Sequence, residues 1–155
     1  MNKLLFYFFA LCSFSLHAAG QDDEVHEFAG KHFLASYLDC NQEALKNVSQ
    51  LVSAMDRAVE ASGATILGSK AYHFEPDAIT IVYLLSESHA SIHTYPEYGA
   101  CFVDLFTCGD NCSSAAFDQA LREYLQPKEV DAKLFLRSHQ IHEAPLPKIQ
   151  PTPAS

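Results

Sequence analysis

The sequence predicts an α+β domain, a two-layer α/β sandwich in which a mostly antiparallel sheet carries helices on one face. Three observations lead there. The element order reads strand, helix, strands, helix, strand. The links between the middle strands are of hairpin length. Two segments carry an apolar stripe at helical spacing, whereas the others alternate or run apolar over strand-like lengths.

Residues 32–39, HFLASYLD, alternate loosely and open the fold as a strand. Asn41 can cap a helix, because its side-chain oxygen can accept from free backbone N–H groups. Leu45, Val48, Leu51, Val52, Met55 and Val59 then recur at three- and four-residue steps, and Gly63 stops the helix. Residues 64–74, ATILGSKAYHF, read as a strand and Glu75-Pro76-Asp77 as a turn. Residues 78–86, AITIVYLLS, are apolar on both faces, which predicts a central strand. Residues 88–96, SHASIHTYP, continue extended. In residues 100–108, ACFVDLFTC, Cys101, Val103, Leu105 and Thr107 fall on one side and Phe102, Asp104, Phe106 and Cys108 on the other. Gly109-Asp110 reads as a turn, and Ser113 or Ser114 as the cap of a second helix carrying Phe117, Ala120, Leu121, Tyr124 and Leu125. Residues 129–137, EVDAKLFLR, form the last predicted strand. Pro145, Pro147, Pro151 and Pro153 make 143–155 a Pro-rich tail that is expected to be disordered.

The 155 residues suit one domain with one core, and 48% hydrophobic with 19% charged residues is a globular composition. A net charge of −9 repels phosphate backbones and argues against nucleic-acid binding. At the N-terminus one Lys precedes an apolar run from Leu4 to Leu16 and then Ala18, Ala19 and Gly20. That pattern predicts a signal peptide over 1–20, cleaved after Ala18 or Gly20, and is too short for a stable membrane span. The mature domain would then occupy 21–142, and the segment suggests export to the periplasm. Removal of the leader takes Cys12 and leaves Cys40, Cys101, Cys108 and Cys112, with no CxxC pair to suggest structural zinc.

The chemistry gathers in LLSESHASIHTYPEYG, where an apolar strand runs into Glu87, Ser88, His89 and His93. Each has an ordinary reading: a strand-edge hydroxyl for Ser88, surface histidines for His89 and His93. The β-rich flanks argue against a helical pair of metal-binding histidines, and no metal is expected. No glycine brackets the serine as a hydrolase elbow requires. A Cys108–His93 protease pair has no supporting signature.

One family accounts for these residues together. The run from Ser86 to Asp110, SESH…IHTYPE(Y)G…VDLFTCGD, resembles the small prokaryotic pyruvoyl-dependent S-adenosylmethionine decarboxylases, over roughly residues 28–138. The positions Ser88, His93 and Cys108 match with separations of five and fifteen residues. The resemblance implies a proenzyme that cleaves itself between Glu87 and Ser88 into β and α chains. Ser88 would become a covalent pyruvoyl group, the cofactor that forms a Schiff base with the substrate amine and takes up the electrons left by CO₂. His93 would serve as the processing proton acceptor. Cys108, by itself readable as a buried free thiol, would be the proton donor after decarboxylation.

The same resemblance puts Phe74 and Tyr95 at an adenine pocket, where an aromatic face also attracts a sulfonium cation. It puts Glu97 on the ribose hydroxyls and Thr80 at a position where relatives carry Ser. Core packing for Phe74 and a solvated loop acid for Glu97 are the plain alternatives, and Tyr95 stands where relatives often have Trp. The implied substrate is S-adenosylmethionine, the implied process spermidine synthesis, and the implied assembly a homodimer of processed protomers with active sites near the interface. The family is cytoplasmic, at odds with the leader. Two alternatives stay open: a pyruvoyl-dependent decarboxylase of arginine or ornithine, or an exported non-catalytic relative in which Cys108 pairs with Cys112. Because Ser88 and His93 are five apart, a regular strand would point them to opposite faces, so a bend between them is expected.

Overall fold

A computed structural model of the chain describes residues 28–108 and 111–149. The leader, Cys12, the Gly109-Asp110 turn and the tail beyond residue 149 lie outside the described residues. The sheet strands are β1 (Gly30–Leu38), β2 (Ile66–Phe74), β3 (Ala78–Leu85), β4 (Ser88–Tyr95), β5 (Ala100–Thr107), β6 (Glu129–Arg137) and β7 (Ile141–Ala144). They form one sheet in the order β2-β3-β4-β5-β1-β6-β7, and every neighbouring pair is antiparallel. Among the described residues the helices are α1 (Gln42–Lys46), α2 (Val48–Ser62) and α3 (Ser114–Leu125), with a 3₁₀ turn at Pro96–Tyr98. This is the two-layer α+β architecture predicted.

The core lies between the sheet and the helices. Phe33, Tyr37, Ile79, Ile81, Tyr83, Ile92, Val103 and Leu105 meet Leu51, Met55, Val59, Phe117 and Leu121, all of them buried. The cross-strand register places Leu34, Val82, Ser91 and Asp104 side by side on the opposite face of the sheet, with Thr80, His93, Phe102 and Ser36 in the next row. Among the described residues no helix covers that second face.

Three details differ from the sequence reading, each for a physical reason. The first helix is broken in two. Asn47 leaves helical geometry (φ −86°, ψ 96°) and its side chain caps Gln50 N–H at 3.0 Å, so the apolar stripe passes unbroken through a change of helix. Asn41 caps α1 through Glu43 and Ala44 N–H, and Gly63 ends α2 at φ 85°, where a side chain would be strained. Strand β3 is one in from the edge, not central. Its Val82 and Leu84 are 46% and 61% exposed, because the face they share is uncovered. Finally, β7 pairs with β6 from Arg137↔Ile141 to Leu134↔Ala144. The sheet therefore continues past residue 142, and Glu143 and Ala144 are strand residues, not the start of a disordered tail; Lys133 Nζ also meets Glu143 Oε1 at 2.9 Å.

Candidate active site

Residues Ser86 and Glu87 form the two-residue turn between β3 and β4, closed by the pair Leu85↔Ser88. Thr65 clamps this turn from outside. Its carbonyl accepts from Ser86 N–H at 2.9 Å and its N–H donates to Glu87 Oε2 at 2.8 Å. The hydrogen bond from Thr65 holds the Glu87 carboxyl below the usual carboxylate range. On the other side, β5 runs antiparallel to β4 with Ser88 opposite Thr107. The next residue along, Cys108, therefore faces Glu87, and its N–H donates to the Glu87 carbonyl at 3.0 Å. The carbonyl of the Glu87–Ser88 peptide is thus already bonded to a donor, in the residue whose thiol is exposed.

Ser88 has φ 148°, a backbone conformation that non-glycine residues rarely adopt. Holding a residue in such a region costs roughly 1–3 kcal/mol and persists only where the surroundings enforce it. The distortion sits at Ser88 itself; β4 keeps unbroken register with β3 and β5, so the bend expected between Ser88 and His93 is absent and the two stay apart. From Ala90 onward β4 is regular: Ala90, Ile92 and Thr94 are buried under the helices, and His89, Ser91, His93 and Tyr95 take the open face. The Ser88 hydroxyl lies 3.0 Å from His89 Nδ1.

His93 lies further along the strand, with Nδ1 2.5 Å from Thr80 Oγ1. Aromatic rings flank it. Tyr95 is 4.5 Å away between centroids and Phe74 5.8 Å, both edge-on, and the chain of rings continues from Phe74 to Tyr72 at 4.7 Å and from Tyr95 to Phe102 at 5.3 Å. The structure therefore brings together Thr80, His93, Tyr95 and Phe74. Glu87, Ser88 and Cys108 form a separate group at the opposite end of β4. Glu97 stands apart on the 3₁₀ turn, in a cleft of about 610 Å³ lined also by Gln42, Lys46, Glu75, Pro76, Asp77 and Pro96. Cys108 and Cys112 are both free thiols, as are Cys40 and Cys101, so no Cys108–Cys112 disulfide is present.

Sequence reasoning missed the surroundings of His89. His32 on β1 lies 6.4 Å from the His89 ring, and Phe106 on β5 touches both histidines at 5.4 and 5.6 Å. Gly30 admits the Phe106 ring, because a Cβ there would sit 2.6 Å from two of its carbons. The Arg137 guanidinium stacks on the outer face of that ring at 4.5 Å. His32 Nε2 is 3.5 Å from Asp104, whose other oxygen accepts from Ser91 Oγ at 3.1 Å. Strand parity was the available signal, since 89, 91, 93 and 95 share a face. Among the described residues no cluster of three His, Cys, Asp or Glu is arranged to hold a metal, and no helix is long and apolar enough to cross a membrane.

A family model described as S-adenosylmethionine decarboxylase matches residues 31–138. The S-adenosylmethionine decarboxylase proenzyme of Thermosipho melanesiensis is 40% identical over 108 residues, 70% of this chain and 83% of that protein. The proenzyme of Methanococcus aeolicus is 36% identical over 102 residues, 66% of this chain and 87% of its own. The crystal structure of the adenosylmethionine decarboxylase from Aquifex aeolicus superposes with a TM-score of 0.64 at 30% identity, covering 81% of this chain and 98% of that one. The family model covers most of the chain and the relatives match it at 30–40% identity over most of their own length, and this chain belongs to the S-adenosylmethionine decarboxylase family.

Proposed function

We propose that the chain is a proenzyme that cuts itself between Glu87 and Ser88 and then decarboxylates S-adenosylmethionine, the substrate named by its relatives. One observation carries the reading: the Glu87 carbonyl is held by Cys108 N–H at 3.0 Å beside a serine whose backbone sits at φ 148°. Attack of Ser88 Oγ on that carbonyl carbon pushes charge onto an oxygen that already has a donor, as an oxyanion requires. Collapse breaks the C–N bond and leaves Glu87 esterified to Oγ. Removal of the Ser88 Cα proton expels the Glu87 carboxylate, and water converts the resulting dehydroalanine to a keto group with loss of ammonia. Both new ends lie at a hairpin turn, so the strands need not unpair when the chain is cut.

The residues present fit a pyruvoyl group at position 88, since hydroxyl, carbonyl and donor are adjacent there and the turn is pinned by Thr65. When present, that group supplies an electrophilic carbonyl and an electron sink for loss of CO₂. The surrounding side chains bind, orient and move protons. The exposed Cys108 thiol is the proton donor to the substrate carbon. The rings of Phe74 and Tyr95 offer faces to adenine and to the sulfonium. Thr80 holds the His93 ring, and Glu97 is the acceptor for ribose hydroxyls.

The protein is proposed to work as a homodimer. Extended chain rises about 3.3 Å per residue, so Ser88 and His93 are separated by about 16 Å along β4. A histidine that removes the Ser88 Cα proton cannot reach it within one chain held in this strand. A second copy laid against the open face can bring it there.

The test is the mass of the purified chain with labelled CO₂ release. Wild type should give two fragments divided at Ser88 and release CO₂ from S-adenosylmethionine, with arginine and ornithine as control substrates. Ser88→Ala should give one uncut, inactive chain, and its cleavage would refute the reading. Cys108→Ala should still be cut but turn over at least about 100-fold more slowly; undiminished turnover would exclude the thiol as donor.

A further inference from the structure

We propose that His89 is the base that starts the self-cleavage, taking the proton from Ser88 Oγ, and that His93 acts only afterwards. The inference rests on the self-processing reading above and adds a residue to it. The Ser88 hydroxyl is bonded to His89 Nδ1 at 3.0 Å, a distance suited to proton transfer. His93 is engaged elsewhere, with Nδ1 2.5 Å from Thr80.

His89 is exposed, and two rings stand beside it. It lies on the open face of β4, opposite Leu84 on β3 and Phe106 on β5. The Phe106 ring packs at 5.6 Å and the His32 ring stands edge-on at 6.4 Å. Of the ionisable groups nearby, His32 on β1 stands beside His89, Asp104 on β5 and Arg137 on β6 reach it through His32 and Phe106, and Glu87 lies in the adjoining turn. Burial favours neutral His32, which leaves one positive charge fewer beside His89 when it accepts a proton.

The step balances within the chain. His89 with its proton on Nε2 presents a lone pair at Nδ1. As the Oγ–C bond to Glu87 forms, the Oγ–H bond breaks and Nδ1 gains the proton. As the C–N bond breaks, the same proton passes to the departing amine of residue 88. The histidine ends unchanged, and the product is an ester with a free amino group.

The test uses the full chain purified as the uncut precursor, with processing followed by gel and intact mass. His89→Ala should slow cleavage by about 100-fold or more, and free imidazole should restore part of the rate, which a merely structural role would not allow. His89→Asn can still accept a hydrogen bond from Ser88 but cannot take its proton, and should be equally slow. Hydroxylamine, which splits esters and spares amides, should cut neither variant. It should cut His93→Ala, where the ester accumulates. Cleavage of both His89 variants at the wild-type rate overturns the proposal, as does slow cleavage that imidazole leaves unchanged or a hydroxylamine-sensitive ester in either variant. Ser88→Ala separates the two readings. If it is cut, self-processing at this bond fails. If it stays whole while the His89 variants process normally, only the role of His89 fails.

Discussion

His32 shows how one side chain records the balance of forces on the open face. Burial pulls its pKa below the ordinary value of 6.5 and is the largest influence; Asp104 opposes it, whereas Arg137 and His89 add to it. The folded protein therefore favours neutral His32. Its contribution to stability is complete above 6.5 and is lost as the pH falls from there to the folded midpoint, because the unfolded chain takes up the proton first. Followed by NMR, the His32 imidazole should titrate below 6.5. Asp104→Asn should move its midpoint further down, and Arg137→Met should move it up. Opposite movements would mean that the Asp104 contact, at 3.5 Å, does not couple to the ring.

At the scale of elements, two tyrosines fasten the helices to the sheet. Tyr37 on β1 donates to Asp118 on α3 at 2.5 Å, and Arg122 holds both oxygens of the same carboxylate at 3.0 and 2.9 Å. Tyr83 on β3 lies 2.6 Å from Asp56 and 3.1 Å from the Val52 carbonyl on α2. Burial pushes the ionisation of both phenols well above the usual range, so both stay protonated as donors at neutral pH. Asp118→Ala leaves the Tyr37 hydroxyl without its acceptor and should cost about 1–3 kcal/mol in urea unfolding. Adding Tyr37→Phe should return part of that loss, and a simple sum of the two single effects would mean that they are not coupled. These fastenings were not legible in the sequence, since periodicity marks Tyr37 and Tyr83 as core and says nothing of a polar partner. The helices and six of the seven strands were legible, because each carries its own period and its own cap or turn. The break at Asn47 was hidden by a stripe that continues from Leu45 to Val48. Strand β7 was hidden because Ile141-His142-Glu143-Ala144 has almost no apolar alternation and gains its order from β6. At the candidate site, the motif singled out Ser88, His93 and Cys108, of which the structure places Ser88 and Cys108 together at the turn and His93 further along β4. The positive φ of Ser88 and the contact with His89 are consequences of a tight turn, which residue types do not announce.

The whole molecule leaves one sheet face uncovered, and the candidate site spreads across it. Tyr72, Phe74, Val82, Leu84 and Phe102 are exposed on that face; Leu84 shares a row with His89, Tyr72 and Phe102 share one with His93, and Val82 lies in the Ser91 row between them. A sheet with a second apolar face is stable in water when another layer covers it, and a second copy of the chain is the layer that the dimer reading supplies. Distance makes the same demand, because about 16 Å of strand separates Ser88 from the His93 of its own chain. If His93 serves the partner's Ser88, two inactive variants should repair each other. Ser88→Ala has an intact His93 but no hydroxyl, and His93→Ala has the hydroxyl but lacks the base that completes the elimination. Neither should mature alone. Co-expressed with distinguishable tags, the mixed dimer pairs the serine of one with the histidine of the other, so the His93→Ala chain should be cut and the Ser88→Ala chain should stay whole. Val82→Lys with Leu84→Lys, which places two charges on the shared face, should shift sedimentation to the monomer and abolish this repair. A mixed dimer in which neither chain is cut would mean that His93 acts within its own chain, and β4 would then have to leave the extended form for the bond to break.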